Sequence, residues 1–130
     1  MSNKLFDTSA IINLCNQKEY KHLEQGSTLS LTYYELGNVL WKQVNLQRIF
    51  SLDEGVTVLI ALTNMLSRMH IIESPRAVST LRLATQHNLT FYDAAFLDTA
   101  IRYNFSLVTD DKKLGQVAKD YVSVTKSNKL

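Results

Sequence analysis

The amino-acid sequence predicts an α/β fold with three layers, α/β/α, in which helices cover both faces of a central, mostly parallel sheet of about five strands. Two observations predict it. Short apolar runs of strand length alternate with longer segments of helical periodicity along the chain. Strands joined mainly by helical crossovers run parallel, and a parallel sheet is buried on both faces.

The composition is that of an ordinary folded domain. The chain has 130 residues, the usual size of one domain, so residues 1–130 are predicted to form a single domain. It is 45% apolar and 20% charged, with four glycines and one proline, which argues against disorder. The single cysteine, Cys15, excludes an internal disulfide and a cysteine-rich zinc site, and we interpret it as a small core residue.

Five short apolar runs are predicted to be strands, bounded by turn residues or by helical patterns. They are Lys4–Phe6, Thr28–Leu31, His70–Glu73, Phe105–Val108 and Val122–Val124.

The helices between them have readable starts. Ser51-Leu-Asp-Glu54 is a capping box that opens a helix to about Arg68. Ser74-Pro75 is an N-cap followed by a proline at the first helical position, and it opens a helix to about His87. The other helices are predicted at Ser9–Asn16, Tyr33–Leu46, Phe91–Tyr103 and Lys112–Asp120, with a shorter turn near Tyr20–Glu24.

Targeting and membrane segments are not evident. The N-terminus lacks a basic segment followed by an apolar stretch, so a secretory signal is not predicted. The longest apolar stretch, VTVLIALTNML (56–66), is interrupted by polar residues and too short to cross a bilayer. We therefore expect a cytoplasmic protein with no membrane partner.

Four acidic residues lie at the predicted starts of helices. Asp7 follows the first strand, and Glu35 is in the first turn of the helix after the second. Asp93 is in the first turn of another helix, and Asp111 directly follows the strand Phe105–Val108. Each alone has an ordinary explanation, because an acid at a helix N-terminus caps it and gains about 0.3–1 kcal/mol from the macrodipole.

The predicted fold gives these acids a second explanation. Three of the four follow the carboxyl ends of parallel strands, where such sheets bind ligands, and the helix of Asp93 can point its N-terminus to the same edge. Carboxylates that converge repel one another unless their pKa values rise or a divalent cation neutralises them. Oxygen ligands with no nearby His or Cys favour Mg²⁺ or Mn²⁺ over zinc.

The charge balance agrees with this interpretation. The chain has 14 basic and 12 acidic residues and a net charge of +2, too small by itself to indicate a nucleic-acid partner. With the four candidate acids set aside, eight acids remain against the 14 bases, and the rest of the chain has a net charge of +6. An acidic pocket in a basic remainder suits a metal site that holds a polyanion.

Four segments of the sequence resemble a known family. LFDTSAII, TYYELGNVLWK, TFYDAAFLDTAI and LVTDDKKL are similar to the four acidic motifs of the PIN-domain ribonucleases, in the family's order and spacing. The resemblance covers essentially the whole chain. The size and the lack of further domains most resemble the VapC-type toxins of toxin–antitoxin pairs.

The resemblance implies an endoribonuclease dependent on Mg²⁺ or Mn²⁺, with Asp7, Glu35, Asp93 and Asp111 as the metal-binding catalytic acids. Asp111 is chosen over Asp110 because the spacing T-x-D-x-x-L from Thr109 to Leu114 puts the family's acid third. Supporting positions around the metal are assigned to Ser9, Asn38, Thr109 and Asp110, with capping of the following helix as the alternative role for Asp110.

The resemblance also implies partners. These are an RNA substrate, a second copy in a homodimer, and a small antitoxin protein. Single-stranded or looped RNA is favoured because its backbone and bases are accessible. Next to the acids, the aromatic residues Tyr33, Tyr34 and Tyr92 could stack bases, although core packing is the commoner role for such residues. Lys112 and Lys113 either contact phosphate or form a solvated helix face.

One further acid is not assigned to the site. Asp98 is five residues beyond Asp93, so a helix turns it roughly 140° away from that acid, and we interpret it as a surface charge.

Three alternative functions are weighed against the nuclease. A phosphorylation-receiver domain needs an acidic pair after the first strand, where this chain has only Asp7, and a phosphorylatable Asp near Glu73. A haloacid-dehalogenase-type phosphatase needs a second Asp at position 9, which is Ser9. The third alternative, a PIN-fold RNA-processing nuclease or an RNA- or protein-binding module with little activity, stays open.

Overall fold

The structure is a computed structural model that describes residues 2–73 and 75–130. Five parallel strands form one sheet, and each neighbouring pair is parallel. The strands are β1 (Lys4–Phe6), β2 (Ser27–Leu29), β3 (His70–Ile72), β4 (Ser106–Val108) and β5 (Val124–Thr125). The helices are α1 (Thr8–Asn16), α2 (Leu31–Asn45), α3 (Leu52–Leu66), α4 (Ala77–His87), α5 (Phe91–Tyr103) and α6 (Lys112–Ala118), with 3₁₀ turns at Tyr20–His22 and Ser127–Lys129.

The strand order, β3-β2-β1-β4-β5, puts β1 at the centre. The chain builds outward from β1 through β2 to β3, then returns to the other side of β1 to add β4 and β5. The order therefore reverses between β1 and β4, where Leu5 pairs with Leu107. Open parallel sheets bind ligands outside the carboxyl ends of the strands at such a reversal.

Two hydrophobic cores confirm the three-layer prediction. Successive residues of a strand point to opposite faces of the sheet. Phe6 and Val108 pack against α1, α2 and α3 on one face, whereas Leu5 and Leu107 pack against α4, α5 and α6 on the other.

The second strand and its helix differ from the prediction. β2 ends at Leu29, and α2 already begins at Leu31, which was predicted to be the end of the strand. Thr32 is therefore inside the helix, where its hydroxyl lies 2.8 Å from the hydroxyl of Thr28. The segment Thr32 to Glu35 is consequently not a capping box, and Glu35 lies in the second turn of α2 rather than the first.

The other helix boundaries are partly as predicted. The capping box of α3 is confirmed, with the Glu54 amide donating to Ser51 Oγ and the Ser51 amide donating to Glu54 Oε1. α4 begins at Ala77, so Pro75 precedes the helix instead of occupying its first position, and the predicted cap Ser74 lies outside the described residues. None of the helices in residues 2–73 and 75–130 combines the length and apolar character needed to cross a membrane.

Two glycines make a matched test of the packing between α2 and α3. A Cβ at Gly37 would meet no atom within 4 Å, so Gly37→Ala is expected to raise the free energy of unfolding by about 0.5–1 kcal/mol through helix propensity. A Cβ at Gly55 would lie 2.6 Å from Cγ2 of the stiff Val44 side chain, so Gly55→Ala is expected to lower it by about 1–3 kcal/mol. Urea unfolding measures both, and changes of the same sign would contradict this packing.

Candidate active site

The first acid of the site, Asp7, is held in place by three hydrogen bonds. It follows β1, caps the N-terminus of α1 and is 4% exposed. Its carboxylate accepts hydrogen bonds from the Ala10 amide at 2.9 Å, from Ser9 Oγ at 2.7 Å and from Thr109 Oγ1. Burial nevertheless outweighs these donors and raises the pKa of Asp7 to about 6.

A single hydroxyl joins the acids on the two sides of the strand-order reversal. Thr109, which follows β4 and is buried, donates through Oγ1 to Asp7 and accepts from the amide of Asp111 at 3.0 Å. Asp111 in turn caps α6, its carboxylate accepting from the Leu114 amide at 2.8 Å. The loops after β1 and β4 are therefore locked together beside their acids.

Glu35 reaches the same region from α2. Thr8 Oγ1 donates to Glu35 Oε1 at 2.7 Å, which fixes the carboxylate against the first residue of α1. Burial raises the pKa of Glu35, and the hydrogen bond from Thr8 opposes that rise. Glu35 is therefore a positioned, partly desolvated acid.

Asp93 is electrostatically coupled to the other three acids. It lies in the first turn of α5, where its amide donates to the capping Thr90 Oγ1 at 3.1 Å. Burial and then the negative charge of Asp111 raise its pKa. The charge of Asp93 also adds to the burial that raises the pKa values of Asp7 and Glu35.

All four acids line one cavity of about 580 Å³, hereafter the acid cavity. Its other lining residues are Thr8, Ser9, Ile12, Leu31, Tyr34, Asn38, Val39, Lys42, Tyr92 and Phe96. Oxygen-only donors and crowded negative charge fit a hard divalent cation. Within the described residues, however, no three His, Cys, Asp or Glu side chains are close enough together to hold an ion at once.

The four supporting positions named from the sequence are placed differently. Ser9 and Asn38 line the acid cavity, and Thr109 touches two of its acids. Asp110 does not line it. The Asp110 carboxylate instead accepts from Asn13 Nδ2 at 2.7 Å and from the Ser127 amide at 2.9 Å, which ties the C-terminal 3₁₀ turn to α1.

Comparison with protein families decides the identity of the domain. The family model described as PIN domain matches residues 4–120, nearly the whole chain. This chain belongs to the PIN-domain family.

The similar proteins include a curated relative and two solved structures. Exonuclease VapC9 of Pyrobaculum aerophilum is 35% identical to this PIN domain over 122 residues, which cover 92% of this chain and 89% of the relative. The crystal structure of PAE2754 from Pyrobaculum aerophilum matches with a TM-score of 0.82 at 31% identity, covering 98% of this chain and 92% of that one. The structure of VapBC-1 from nontypeable Haemophilus influenzae matches with a TM-score of 0.64 at 16% identity, covering 97% and 98%, and shows likeness of fold alone.

The aromatic residues beside the acids of this PIN domain do not pack in a core. Tyr33, Tyr34 and Tyr92 are 58%, 74% and 59% exposed, so the interpretation that core packing is their role is wrong. Tyr34 and Tyr92 line the acid cavity. Their rings are therefore available to a ligand that reaches the acids.

Two polar residues that line the acid cavity were not predicted from the sequence. Thr8 adjoins Asp7, and its bond to Glu35 could be found only once α1 and α2 were placed side by side. Lys42 lies seven residues after Glu35 in α2, a spacing that puts both on one face of a helix, so this signal was available in the sequence. The structure thus adds one positioning hydroxyl and one cation to the acid cavity.

The prediction that Asp98 is a surface charge is wrong. Asp98 is 6% exposed instead of lying on the surface, and its carboxylate accepts from Ser79 Oγ at 2.6 Å and from Thr80 Oγ1 at 3.3 Å. The turn of α5 does carry Asp98 away from Asp93, as predicted. The side chain is buried because that face of α5 packs against α4, not against solvent.

Proposed function

We propose that this PIN domain is a metal-dependent endoribonuclease and the toxin of a toxin–antitoxin pair. The observation that carries the proposal is that four acids from separate segments line one cavity at the strand-order reversal. The relative named exonuclease VapC9 supports a nuclease. The finer assignments, internal cleavage and RNA as the substrate, are ours.

The proposed cofactor is Mg²⁺ or Mn²⁺. Asp7, Glu35, Asp93 and Asp111 would hold it, directly or through its waters. Such an ion lowers the pKa of water and stabilises the oxygen that leaves the phosphate. It would also offset the repulsion between these neighbouring carboxylates.

The chain's own contribution is to fix the donors before the substrate arrives. Thr109 and Ser9 donate to Asp7, and Thr8 donates to Glu35, so these two carboxylates have defined orientations. Because the donors are hydroxyls and amides with no positive charge, the negative charge stays available to a cation. Pre-organised ligands of this kind act without reorganisation when the substrate binds.

The proposed RNA substrate is supported by the exposed side chains of the acid cavity. Tyr34 and Tyr92 offer ring faces on which unpaired bases can stack, a contact worth about 1–3 kcal/mol per base. Lys42, in the same cavity, supplies a cation for a phosphate next to the scissile one. Unpaired bases are accessible in single strands and loops, not in helices.

The proposed endoribonuclease activity is tested on linear RNA, circular RNA and DNA. Purified protein is stripped with EDTA and assayed with Mg²⁺ or Mn²⁺ restored, on end-labelled linear RNA, on the same RNA closed into a circle, and on DNA. Glu35→Gln removes one acid of the cavity, and Asp53→Asn, which changes an exposed acid of α3, is the matched control.

Cleavage of linear and circular RNA by the wild type and by Asp53→Asn, lost in EDTA and in Glu35→Gln, is the expected result. Cleavage of linear RNA alone, progressing from an end, would replace internal cleavage by exonuclease action. Cleavage of DNA alone would overturn the RNA assignment. Equal cleavage rates for Glu35→Gln and the wild type would show that the acid cavity does not take part in the reaction.

The toxin role includes proposed protein partners, namely a second copy and a small antitoxin. Exposed apolar residues support a protein interface, since Leu52, Val56 and Ile60 recur every fourth residue along one side of α3 and are 69%, 46% and 54% exposed. Light scattering is expected to give twice the monomer mass for the wild type and a lower mass for Ile60→Glu. Leu81→Glu, on the exposed side of α4, is the control, and an unchanged mass in Ile60→Glu would exclude this face.

The toxin role is tested by induced expression in cells. Growth arrest by the wild type but not by Glu35→Gln is expected, with relief by a small protein encoded beside it. Growth without arrest would favour an RNA-processing nuclease. A cytoplasmic location stays a prediction of the sequence.

A further inference from the structure

A second depression adjoins the acid cavity and has the opposite charge. It has a volume of about 380 Å³, and we call it the lysine cavity because Lys112, Lys119 and Lys126 line it. The three lysines come from the start of α6, from its end and from the residue after β5, so the fold and not a single helix brings them together. Lys112 and Lys119 are seven residues apart, on one face of α6.

The two cavities share a wall. Asp111 lines both, and Thr109, whose hydroxyl joins Asp7 to the Asp111 amide, lines the lysine cavity as well. A ligand that occupies both cavities therefore passes directly over Asp111.

The lysines of this cavity are available to a ligand. All three are exposed. The ion pairs within 4 Å in the described part of the chain are His22–Glu19 and Arg68–Glu24, and neither involves these lysines. Lys126 lies farther from a carboxylate, and its charge is one of the influences that lower the pKa of Asp110. Lys113, the neighbour that the sequence analysis grouped with Lys112, is engaged differently, because its Nζ donates to the Asn88 carbonyl.

We infer that the lysine cavity binds the phosphate backbone of a single-stranded nucleic acid whose scissile phosphate lies in the acid cavity. The inference rests on the proposed function. It assigns the strand a path from Lys112, Lys119 and Lys126, across Asp111, to the exposed rings of Tyr34 and Tyr92. Lysine ammonium groups bind phosphates as point charges, and a polyanion with regularly repeated phosphates can contact all three of them together.

The two cavities then differ in how they depend on metal. Four carboxylates repel a phosphate unless a cation is present, whereas the lysines attract one without it. A substrate too short to extend beyond the acid cavity should not bind more tightly because of the lysines. Length dependence and metal-independent binding are therefore the signatures of this site.

The test compares two triple variants. One is Lys112→Gln, Lys119→Gln and Lys126→Gln. The matched control is Lys18→Gln, Lys21→Gln and Arg48→Gln, which removes three exposed cations that follow the ends of α1 and α2, at the opposite edge of the sheet. For each protein, KM and kcat are measured on a single-stranded RNA of about twelve nucleotides and on a dinucleotide, and binding of the longer RNA is followed by anisotropy in EDTA at several salt concentrations.

The cavity variant is expected to raise KM for the longer RNA about tenfold or more, with kcat and the dinucleotide reaction unchanged. In EDTA, the slope of the logarithm of its RNA affinity against the logarithm of the salt concentration should be shallower by about 2. Each of the three lost phosphate contacts to a single strand contributes about 0.7 to that slope. Equal changes in the two triple variants would overturn the inference. RNA binding by the cavity variant as tight as that of the wild type would also overturn it, and would be expected if the lysines bind an acidic protein instead. Absence of cleavage by the wild type would refute the proposed function, while lysine-dependent binding in EDTA would still support this site.

Discussion

Asp7→Asn is expected to lower kcat/KM for RNA cleavage by about 10³-fold or more, the largest effect of any single substitution in this domain. Asp7 is the most deeply buried of the four acids, and the charge of Asp93 acts on it directly. Removing its charge removes a ligand that the other three acids cannot replace, because each is fixed by its own helix. The measurement is cleavage of single-stranded RNA at saturating Mg²⁺ or Mn²⁺.

Asp53→Asn is the control for this substitution, since it changes an exposed acid of α3 and should leave kcat/KM as in the wild type. An Asp7→Asn rate within tenfold of the wild-type rate would show that Asp7 is a helix cap and not part of the reaction.

The same Asp7→Asn substitution is expected to stabilise the metal-free fold by about 2–3 kcal/mol at pH 8. Burial raises the pKa of Asp7 from 3.8 to about 6 in the folded protein. Between these values the folded state binds a proton more tightly than the unfolded chain does, so wild-type stability falls as the pH rises from about 4 through 6 and stays lowered above it. Below pH 4 the carboxyl is protonated in both states and the advantage of Asn disappears.

The Asn side chain can keep the local hydrogen bonds that Asp7 makes. Asn is as good an N-cap as Asp, so its Oδ1 can accept from the Ala10 amide. Thr109 Oγ1 can accept from the new amide group, because a hydroxyl has two lone pairs and only one is used by the Asp111 amide.

Urea unfolding of the wild type and Asp7→Asn in EDTA at pH 4 and pH 8 measures the effect. The difference between the two proteins cancels the titrating groups that do not interact with Asp7, among them Asp110, in which hydrogen bonds from Ser127 and Asn13 outweigh burial and lower the pKa. With Mg²⁺ at about 1,000 times its Kd, the wild type should gain about 4.1 kcal/mol and the order should reverse. A variant less stable than the wild type at pH 8 in EDTA would contradict the desolvation argument.

The fold was predictable because its signals are local. Apolar runs separated by helical patterns indicated parallel strands, and the structure confirms the sheet and its two covering layers. The element boundaries were less predictable. Thr32 and Glu35 have the spacing of a capping box, yet the hydroxyl of Thr32 contacts Thr28 on the neighbouring strand, and α2 begins one residue before it.

The convergence of the four acids was also predictable, since three of them follow strand ends at one edge of the sheet. What the sequence left unresolved were roles that depend on contacts between distant segments. The family spacing favoured Asp111 over the adjacent Asp110, but the role of Asp110 became visible only in the structure, where it is bonded to Asn13 while Asp111 lines the acid cavity. Asp98 was misplaced for the same reason, because helical geometry gives a direction and not what packs there.

The central claim, that the four acids together hold divalent metal directly or through its waters, is tested most directly by binding of Mn²⁺ in the absence of RNA. Mn²⁺ is titrated into wild type, Asp93→Asn and Asp53→Asn, and the free ion is followed by its electron paramagnetic resonance signal. Asp93 is chosen because its charge couples to each of the other three acids. Binding by the wild type and Asp53→Asn, weakened by about tenfold or more in Asp93→Asn, is the predicted result. Equal binding by all three proteins, or by none, would contradict a shared metal site.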